Sequence, residues 1–250
     1  MMRIAVAGGT GLIGKMVVDT AREAGHVPVV IARSVGVDLV TGTGLDAALR
    51  KVDAVVDVSN VTTTRRRVSV EFFGRATRQL LQAGGRKGVR HHVVLSVVGV
   101  DRVDFGYYAG KRRQEELVLG GPVPFSVLRA TQFHEFAAQV IQRGSFVVPV
   151  PRMRSRPIAA REVARALVEL AVRAPVGLAP ELAGPQELDM PEMVRRLLRA
   201  RGSRRVVLPV RLPGEVGRQL AGGGLLPAGP GPRGTETFEE WIERTGRSGR

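Results

Sequence analysis

Arg3-Ile4-Ala5-Val6-Ala7-Gly8-Gly9-Thr10-Gly11-Leu12-Ile13-Gly14 opens the chain with an abrupt change of character. Ile4 to Ala7 form an unbroken apolar run, as expected of a strand buried on both faces in a parallel sheet. Glycines follow at once. Beyond them Leu12, Ile13, Met16, Val17, Thr20, Ala21 and Ala24 recur at helical spacing. Strand, glycine turn and helix, in that order, is the context in which a glycine motif reads as a dinucleotide site. Two registers fit: Gly8, Gly11 and Gly14 as G-x-x-G-x-x-G, and Gly9, Gly11 and Gly14 as G-x-G-x-x-G. In either, one glycine makes the turn, where φ > 0 is needed. One lets the backbone approach a pyrophosphate, and the last lets the helix pack against the sheet. Unpaired N–H groups and the helix dipole attract the anion. Gly8, Gly9, Thr10, Gly11, Leu12, Ile13 and Gly14 are therefore the candidate pyrophosphate loop.

Outward from this stretch, strands and helices alternate. A second strand is expected over Val27–Ala32, ending in Arg33-Ser34. NAD-selective sites place an acidic residue about 20 positions past the glycines. Here Arg33 stands 19 residues after Gly14, and a guanidinium pairs with a phosphate. The expectation is NADP(H). Gly36–Val40 reads as a third short strand in which Asp38 is placed to accept a hydrogen bond from an adenine amino group. A short helix is expected over Gly44–Arg50, then a buried strand over Val52–Val58 ending in Ser59-Asn60. Strand ends on the carboxyl side of a parallel sheet line the ligand crevice, which makes Ser59 and Asn60 candidates. Thr62, Thr63 and Thr64 offer N-caps for a helix over Arg65–Ala83, with Val68, Phe72, Ala76, Leu80 and Leu81 on its inner stripe. Gly84–Gly88 reads as a loop, His91–Ser96 as a strand, Tyr107 to about Val118 as a helix and Phe125–Leu128 as a strand. The whole is a βαβ pattern with a parallel sheet.

From Gly144 the pattern changes. Phe146–Pro151 reads as extended, Ala160–Val172 as helical, and Leu178–Leu182 and Arg205–Leu208 as short strands. Pro191 suits the first turn of a helix to Ala200. Gly222–Gly234 holds six glycines and three prolines and reads as a loop. Thr237-x-x-Glu240 is a capping box, so the last helix, with Phe238, Trp241 and Ile242 on one face, is expected to dock. The domain expectation is a nucleotide-binding core over residues 1–143 and a smaller substrate-side lobe over 144–250, including the loop 222–234 and a C-terminal helix.

Bulk properties narrow the function classes. Hydrophobic residues make up 44% of the chain, and no apolar run is long enough to span a membrane. The start lacks a signal-peptide layout, since glycines and then Lys15 interrupt the apolar stretch. A cytoplasmic protein with no membrane partner is expected. Cysteine is absent, which excludes disulfides, thiolate catalysis and Cys-based metal sites. His26, His91 and His92 lack the spacing of a metal site, so none is expected. The net charge is +15, but only four of the 38 basic residues are lysine, the arginines are dispersed, and aromatics are 4%. That is too sparse for a base-stacking platform, and a nucleic-acid partner is not expected. The oligomeric state is not legible.

The chemistry centres on Ser96, Tyr107 and Lys111. Tyr107 and Lys111 are four residues apart and share a helix face, while Ser96 ends the preceding strand. An ammonium beside a phenol is expected to lower its pKa, and such a phenol exchanges a proton with a carbonyl oxygen. The serine hydroxyl supports that oxygen as charge develops. Tyr108 is the rival tyrosine.

Gly8–Gly14, Arg33-Ser34, Asp38-Leu39, Ser96, Tyr107/Lys111 and Pro157-Ile158 before a helix resemble an atypical short-chain dehydrogenase/reductase of the NmrA-like kind. The resemblance covers nearly the whole chain and is strongest from Met1 to about Phe136. It implies a Rossmann-type doubly wound α/β fold with a small C-terminal substrate lobe, NADP(H) bound by residues including Arg33, Ser34, Asp38 and Leu39, and proton transfer through Ser96, Tyr107 and Lys111. Lys111 would also hold the nicotinamide ribose. The interval of 11 residues between Ser96 and Tyr107 is shorter than is usual there. In this superfamily the segment after the last core strand, here Gln132, Phe133 and His134, meets nicotinamide and substrate. The implied function is NADPH-dependent reduction of a small carbonyl, quinone or enone. The alternative is a non-catalytic redox sensor, since NmrA-like members include cofactor-binding regulators.

Overall fold

The computed structural model describes residues 1–142 and 146–247. In chain order the elements are β1 (Arg3–Ala7), α1 (Leu12–Glu23), β2 (Val27–Ile31), α2 (Leu45–Ala48), β3 (Ala54–Asp57), α3 (Arg66–Lys87), β4 (His91–Val97), α4 (Gly106–Leu119), β5 (Phe125–Ala130), α5 (Glu135–Gln142), β6 (Val147–Pro151), β7 (Arg154–Ser155), α6 (Ala160–Ala171), β8 (Gly177–Leu178), β9 (Leu188–Asp189), α7 (Met190–Ala200), β10 (Val206–Val210), α8 (Gly214–Ala221) and α9 (Phe238–Arg247). They fall into two compact units. Unit 1 comprises Met1–Val97, Phe105–Arg129 and Arg161–Ala179; unit 2 comprises Val98–Asp104, Ala130–Ala160 and Pro180–Arg250. The expected domain boundary at 143/144 lies outside the described residues.

Unit 1 is built on a sheet of order β2-β1-β3-β4-β5-β8. The β1–β2, β1–β3, β3–β4 and β5–β8 pairings are parallel, and helices flank the sheet, so the expected Rossmann-type fold is present. Ile4, Ala5, Val6 and Ala7 are completely buried, which explains why β1 carries no polar alternation. Pro28 is accommodated because β2 is an edge strand. The strand order reverses between β2-β1 and β3, which puts a topological switch point at the carboxyl ends of β1 and β3.

Several expectations are corrected. Gly36–Val40 is not a strand. Arg33–Val35 is a single 3-10 turn, Gly36 has φ 79°, and the Asp38 carboxylate accepts the N–H groups of Val40 and Thr41 at 2.7 and 3.2 Å. A positive φ and an aspartate bonded to its own backbone make a turn, whatever the apolar residues beside them. Gly84–Gly88 is not a loop either: α3 runs through Gly84 and Gly85 to Lys87, and only Gly88, at φ 71°, ends it. Ala76, Leu80 and Leu81 are buried on α3 as expected, but its first turns are out of phase. Val68 is exposed, and Phe73, not Phe72, is fully buried. No threonine caps α3; Thr63 Oγ1 instead accepts the Arg65 N–H at 3.1 Å. The strand expected at Leu178–Leu182 shortens to Gly177–Leu178, with Leu182 in a lone bridge to Ala130.

In unit 2, β10 pairs with β6 in parallel and β7 with β9 antiparallel. α7 begins at Met190 with a proline in its first turn, as expected, and buries Met190, Met193, Val194, Leu197 and Leu198. The capping box of α9 forms: Thr237 N–H donates to Glu240 Oε2 at 2.7 Å and Glu240 N–H to Thr237 Oγ1 at 3.2 Å. Phe238 and Trp241 are buried. α8 was not anticipated from the residue pattern. Among the described residues no helix is long and apolar enough to cross a membrane.

Candidate functional site

The glycine turn lies in unit 1 at the switch point. Gly8 has φ 80° and its N–H donates to Ile31 O at 2.9 Å. A Cβ on Gly8 would lie 2.9 Å from Ser59 Cα and from Val58 O, and one on Gly14 2.1 Å from Gly8 O. A Cβ on Gly11 would meet only Gly8 O, at 3.3 Å. Gly8 therefore makes the turn, Gly14 the close packing of α1, and Gly11 is the position left open. That is the division of labour of the 8–11–14 register. Gly9 is confined: a Cβ there would lie 3.0 Å from both Val30 Cγ1 and Val6 O. The N–H groups of Leu12 and Ile13 start α1 and have no acceptor within the helix. Thr10 and Leu12 are exposed beside this turn, while Ile13 is buried.

The register Ala7↔Ile31 carries the chain after β2 to the same end of the sheet. There Arg33 and Ser34 are exposed, and the Arg33 guanidinium makes no bond to any described residue. Asp38 Oδ1 is occupied by its own turn, and Leu39 is buried. At the end of β3, Ser59 is buried and its Oγ has no hydrogen-bond partner. Ser96, in β4, is 2% exposed, and its Oγ likewise has none. Two orphaned hydroxyls at strand ends are unusual, because buried polar atoms are nearly always paired.

Tyr107 and Lys111 lie on α4, which approaches α3 closely at Gly110. A Cβ there would fall 2.1 Å from Ser69 Oγ, and Ser69 Oγ donates to Tyr107 O at 2.8 Å. The two side chains do not act on each other as expected. Lys111 Nζ donates to Leu95 O at 2.5 Å and to Gln114 Oε1, and lies 4.8 Å from the centre of the Phe73 ring. Gln114 Nε2 in turn donates to Asp57 Oδ2 at 2.9 Å, and Asp57 Oδ1 accepts the Ser59 N–H at 2.9 Å. Burial pulls the Lys111 ammonium down to about 8, while Asp57 and Glu115 oppose the shift. The Tyr107 hydroxyl donates to Asn60 Oδ1 at 2.8 Å. Burial, reinforced by Tyr108, raises the Tyr107 phenol above its ordinary value. The expected lowering by Lys111 is thus corrected: the phenol stays protonated. Tyr108 is itself buried, with its ring edge-on to Phe105 and Tyr107.

Asp57 and Gln114 are the residues that sequence reasoning missed. An aspartate inside the apolar run Val52–Val58, and a glutamine three residues after Lys111 on the same helical face, were the available signals.

Gln132, Phe133 and His134 belong to unit 2. Phe133 forms a lone bridge with Ile158. His134 is 1% exposed, its Nε2 lies 3.1 Å from Glu236 O, and its ring packs against Phe238 and Trp241 with centroids 5.4 and 6.0 Å apart. Its visible role is to seat α9. Among the described residues no group of three or more His, Cys, Asp or Glu side chains is placed to hold a metal ion.

No family model matches the chain. It is 28% identical over 264 residues to a (4-alkanoyl-5-oxo-2,5-dihydrofuran-3-yl)methyl phosphate reductase of Streptomyces griseus, covering 96% of this chain and 86% of that protein. It is 29% identical over 111 residues to a photosystem II assembly factor of Synechocystis, covering 39% of this chain and 34% of that protein. Among solved structures, it superposes on dTDP-4-dehydrorhamnose reductase of Bacillus anthracis, determined in complex with NADP, with a TM-score of 0.75 at 12% identity over 100% of both chains. An NADPH-dependent quinone oxidoreductase of Escherichia coli, complexed with NADPH, gives a TM-score of 0.71 at 17% identity over 97% of this chain and 99% of that one. These neighbours share the Rossmann-type fold of unit 1's parallel sheet and flanking helices, and the full-length Streptomyces relative is itself a reductase.

Proposed function

We propose that this chain, built on the fold of the atypical short-chain dehydrogenase/reductases, is an NADPH-dependent oxidoreductase acting on a small carbonyl or enone. The observation that carries the reading is the open backbone at Gly11, flanked by Gly8 and Gly14, with the unpartnered Arg33 at the end of the neighbouring strand. These residues fit the group: Gly8–Gly14 and the first N–H groups of α1 would hold the pyrophosphate, and Arg33 the 2′-phosphate. Ser34, Asp38 and Leu39 would flank the adenosine, and Ser59 and Asn60 would border the ribose side. The two structural neighbours named above are complexed with NADP and NADPH, and the Streptomyces relative is named for reducing a molecule that carries an alkanoyl group on a dihydrofuranone ring.

When bound, the nicotinamide supplies the hydride. The remaining work falls to the chain. Tyr107, kept protonated by its surroundings, is suited to give a proton to a carbonyl oxygen as charge develops on it. Ser96 Oγ, buried without a partner, is available to support the same oxygen. Lys111, joined to Asp57 through Gln114, would steady the site and, on release from Leu95 O, reach the ribose. Gln132, Phe133 and His134 remain the proposed substrate residues of unit 2.

A second reading is a cofactor-binding sensor without turnover. It is favoured by Lys111 and Tyr107 both being engaged by other residues, Leu95, Gln114 and Asn60, rather than with each other.

Calorimetry with NADPH and NADH, followed by turnover of a carbonyl and enone panel by the parent and Tyr107→Phe, separates the readings. The oxidoreductase binds NADPH about tenfold or more tightly than NADH. Its Phe variant binds NADPH as the parent does but loses about 100-fold or more in kcat. Binding without turnover by the parent supports the sensor. Absence of nucleotide binding overturns both.

A further inference from the structure

The parallel pairing of β10 with β6 in unit 2 sets Val210 against Pro151, and the Arg152 N–H donates to Val210 O at 2.9 Å. The residue that follows each strand is an arginine, Arg152 after β6 and Arg211 after β10. Register therefore brings two guanidinium-bearing positions to one end of a two-stranded ribbon. Both line a cavity of about 300 Å³, with Arg154 of β7 and Arg218 of α8 completing its basic wall.

The arginines of this cavity are not all matched by acids. Arg154 pairs with Glu187, and Arg218 with Glu215. Asp189 is the acid on the lining, but its Oδ1 is taken by the Met153 N–H at 2.9 Å and its Oδ2 stands 3.9 Å from Arg152. Arg211 makes no ion pair or side-chain hydrogen bond to any described residue. Two like charges facing one cavity repel each other, and an anion between them relieves both. The wall is also fixed. A Cβ on Gly217 would fall 1.7 Å from Leu212 O, so α8 sits directly on the backbone that follows Arg211.

We propose that this pocket binds the phosphate of a small organic phosphate monoester, held between Arg152 and Arg211 with Arg154 and Arg218 at its rim. A phosphate offers several acceptor oxygens to the planar forks of two arginines, which a monocarboxylate cannot saturate. The site lies wholly within unit 2 and stands whether or not the glycine turn of unit 1 takes a nucleotide.

Arginine Nε–Hε correlations of the full chain report the pocket directly. The Arg152 and Arg211 signals are assigned with Arg152→Met and Arg211→Met, and the Arg33 signal separately reports the unit 1 loop. Phenyl phosphate, inorganic phosphate and acetate are the probes. Phenyl phosphate is expected to shift the Arg152 and Arg211 signals along one saturable isotherm. Its affinity is expected to fall about tenfold or more in either Met variant and by less in Arg211→Lys, which keeps the charge but not the fork. Arg152→Lys and Arg211→Lys supply the assignment if a Met variant fails to fold, and the parent titration then decides. The proposal is overturned if phenyl phosphate leaves Arg152 and Arg211 unmoved or moves Arg33 alone. It is overturned equally if acetate binds as tightly, or if inorganic phosphate does, since an organic ligand is then not what the pocket selects.

Discussion

Polar side chains gather at strand ends in both units, but they are handled in opposite ways. In unit 1 they are buried and tied to one another: Asp57, Gln114 and Lys111 form a chain from the end of β3 to the backbone of β4. In unit 2 the arginines around the ends of β6 and β10 stay exposed: Arg152, Arg154 and Arg218 have carboxylate partners, and Arg211 has none among the described residues. A buried charge is tolerated only with its partners in place, whereas exposed pairs contribute little. Substitutions at the unit 1 site should therefore move stability and chemistry together, and those in unit 2 should separate them.

The largest effect is expected where backbone meets backbone. In Gly14→Ala the new methyl would lie 2.1 Å from Gly8 O, an overlap that only displacement of α1 or the turn relieves. The expected loss is about 4 kcal/mol or more. Gly11→Ala is the contrast. Its methyl meets Gly8 O at 3.3 Å and its φ is −74°, so the cost is about 1 kcal/mol, that of an alanine at an N-cap. Urea unfolding is expected to rank the two this way while NADPH calorimetry shows both impaired. A Gly11→Ala protein that binds NADPH as well as the parent would remove the reason for leaving that position bare.

The next effect depends on pH. Lys111 is lowered by burial from 10.5 to about 8. Between those values the unfolded chain holds a proton that the folded chain has released, so stability rises with pH across that window. Below about 8 both forms are protonated and the burial penalty is constant. The full rise is about 3 kcal/mol between pH 8 and 10.5. Unfolding free energies of the parent and Lys111→Met, measured in steps over this range, should diverge with the parent gaining. Parallel curves would mean that the ammonium is solvated.

Gln114→Leu addresses the link rather than its ends. It leaves Lys111 with Leu95 O and Asp57 with the Ser59 N–H, each short of one charge-assisted bond, at a cost of about 2 kcal/mol. The same variant should alter the NADPH affinity of unit 1, because the Ser59-Asn60 segment hangs on Asp57. Unchanged affinity in a destabilised protein would show that stability and binding separate in unit 1 too.

What could be read from the chain alone follows the same division. The glycine turn, the buried strands and the capping box are local patterns, and each appears where its residues predict. Gly36–Val40 misled because its apolar residues imitate a strand while Gly36 and Asp38 dictate a turn. The first turns of α3 were misphased by one residue because their buried face is set by the approach of Gly110 on α4, far along the chain. Tyr107 and Lys111 are legible on α4, but their partners are not: Asn60, in the segment after β3, accepts the Tyr107 hydroxyl and Leu95 of β4 accepts from Lys111, and helical spacing carries no information about either. The basic pocket of unit 2 was illegible for a like reason, since Arg152 and Arg211 become neighbours only through the β6–β10 register.

The smallest effect tests the separation from the side of unit 2. Thr237→Ala removes the Oγ1 that accepts the Glu240 N–H and the hydroxyl bonded to Glu240 Oε2. α9 would still be seated by Phe238 and Trp241 against His134, and by the Trp241 Nε1–H donated to Glu135 Oε1 at 3.0 Å. The loss is therefore that of one cap, about 1 kcal/mol, with faster amide exchange confined to the first turn of α9. NADPH affinity should stay at the parental value, because no part of this box belongs to unit 1. A Thr237→Ala protein with weakened NADPH binding would show that the ordering of α9 reaches the glycine turn, and the two units would then have to be treated as one energetic body.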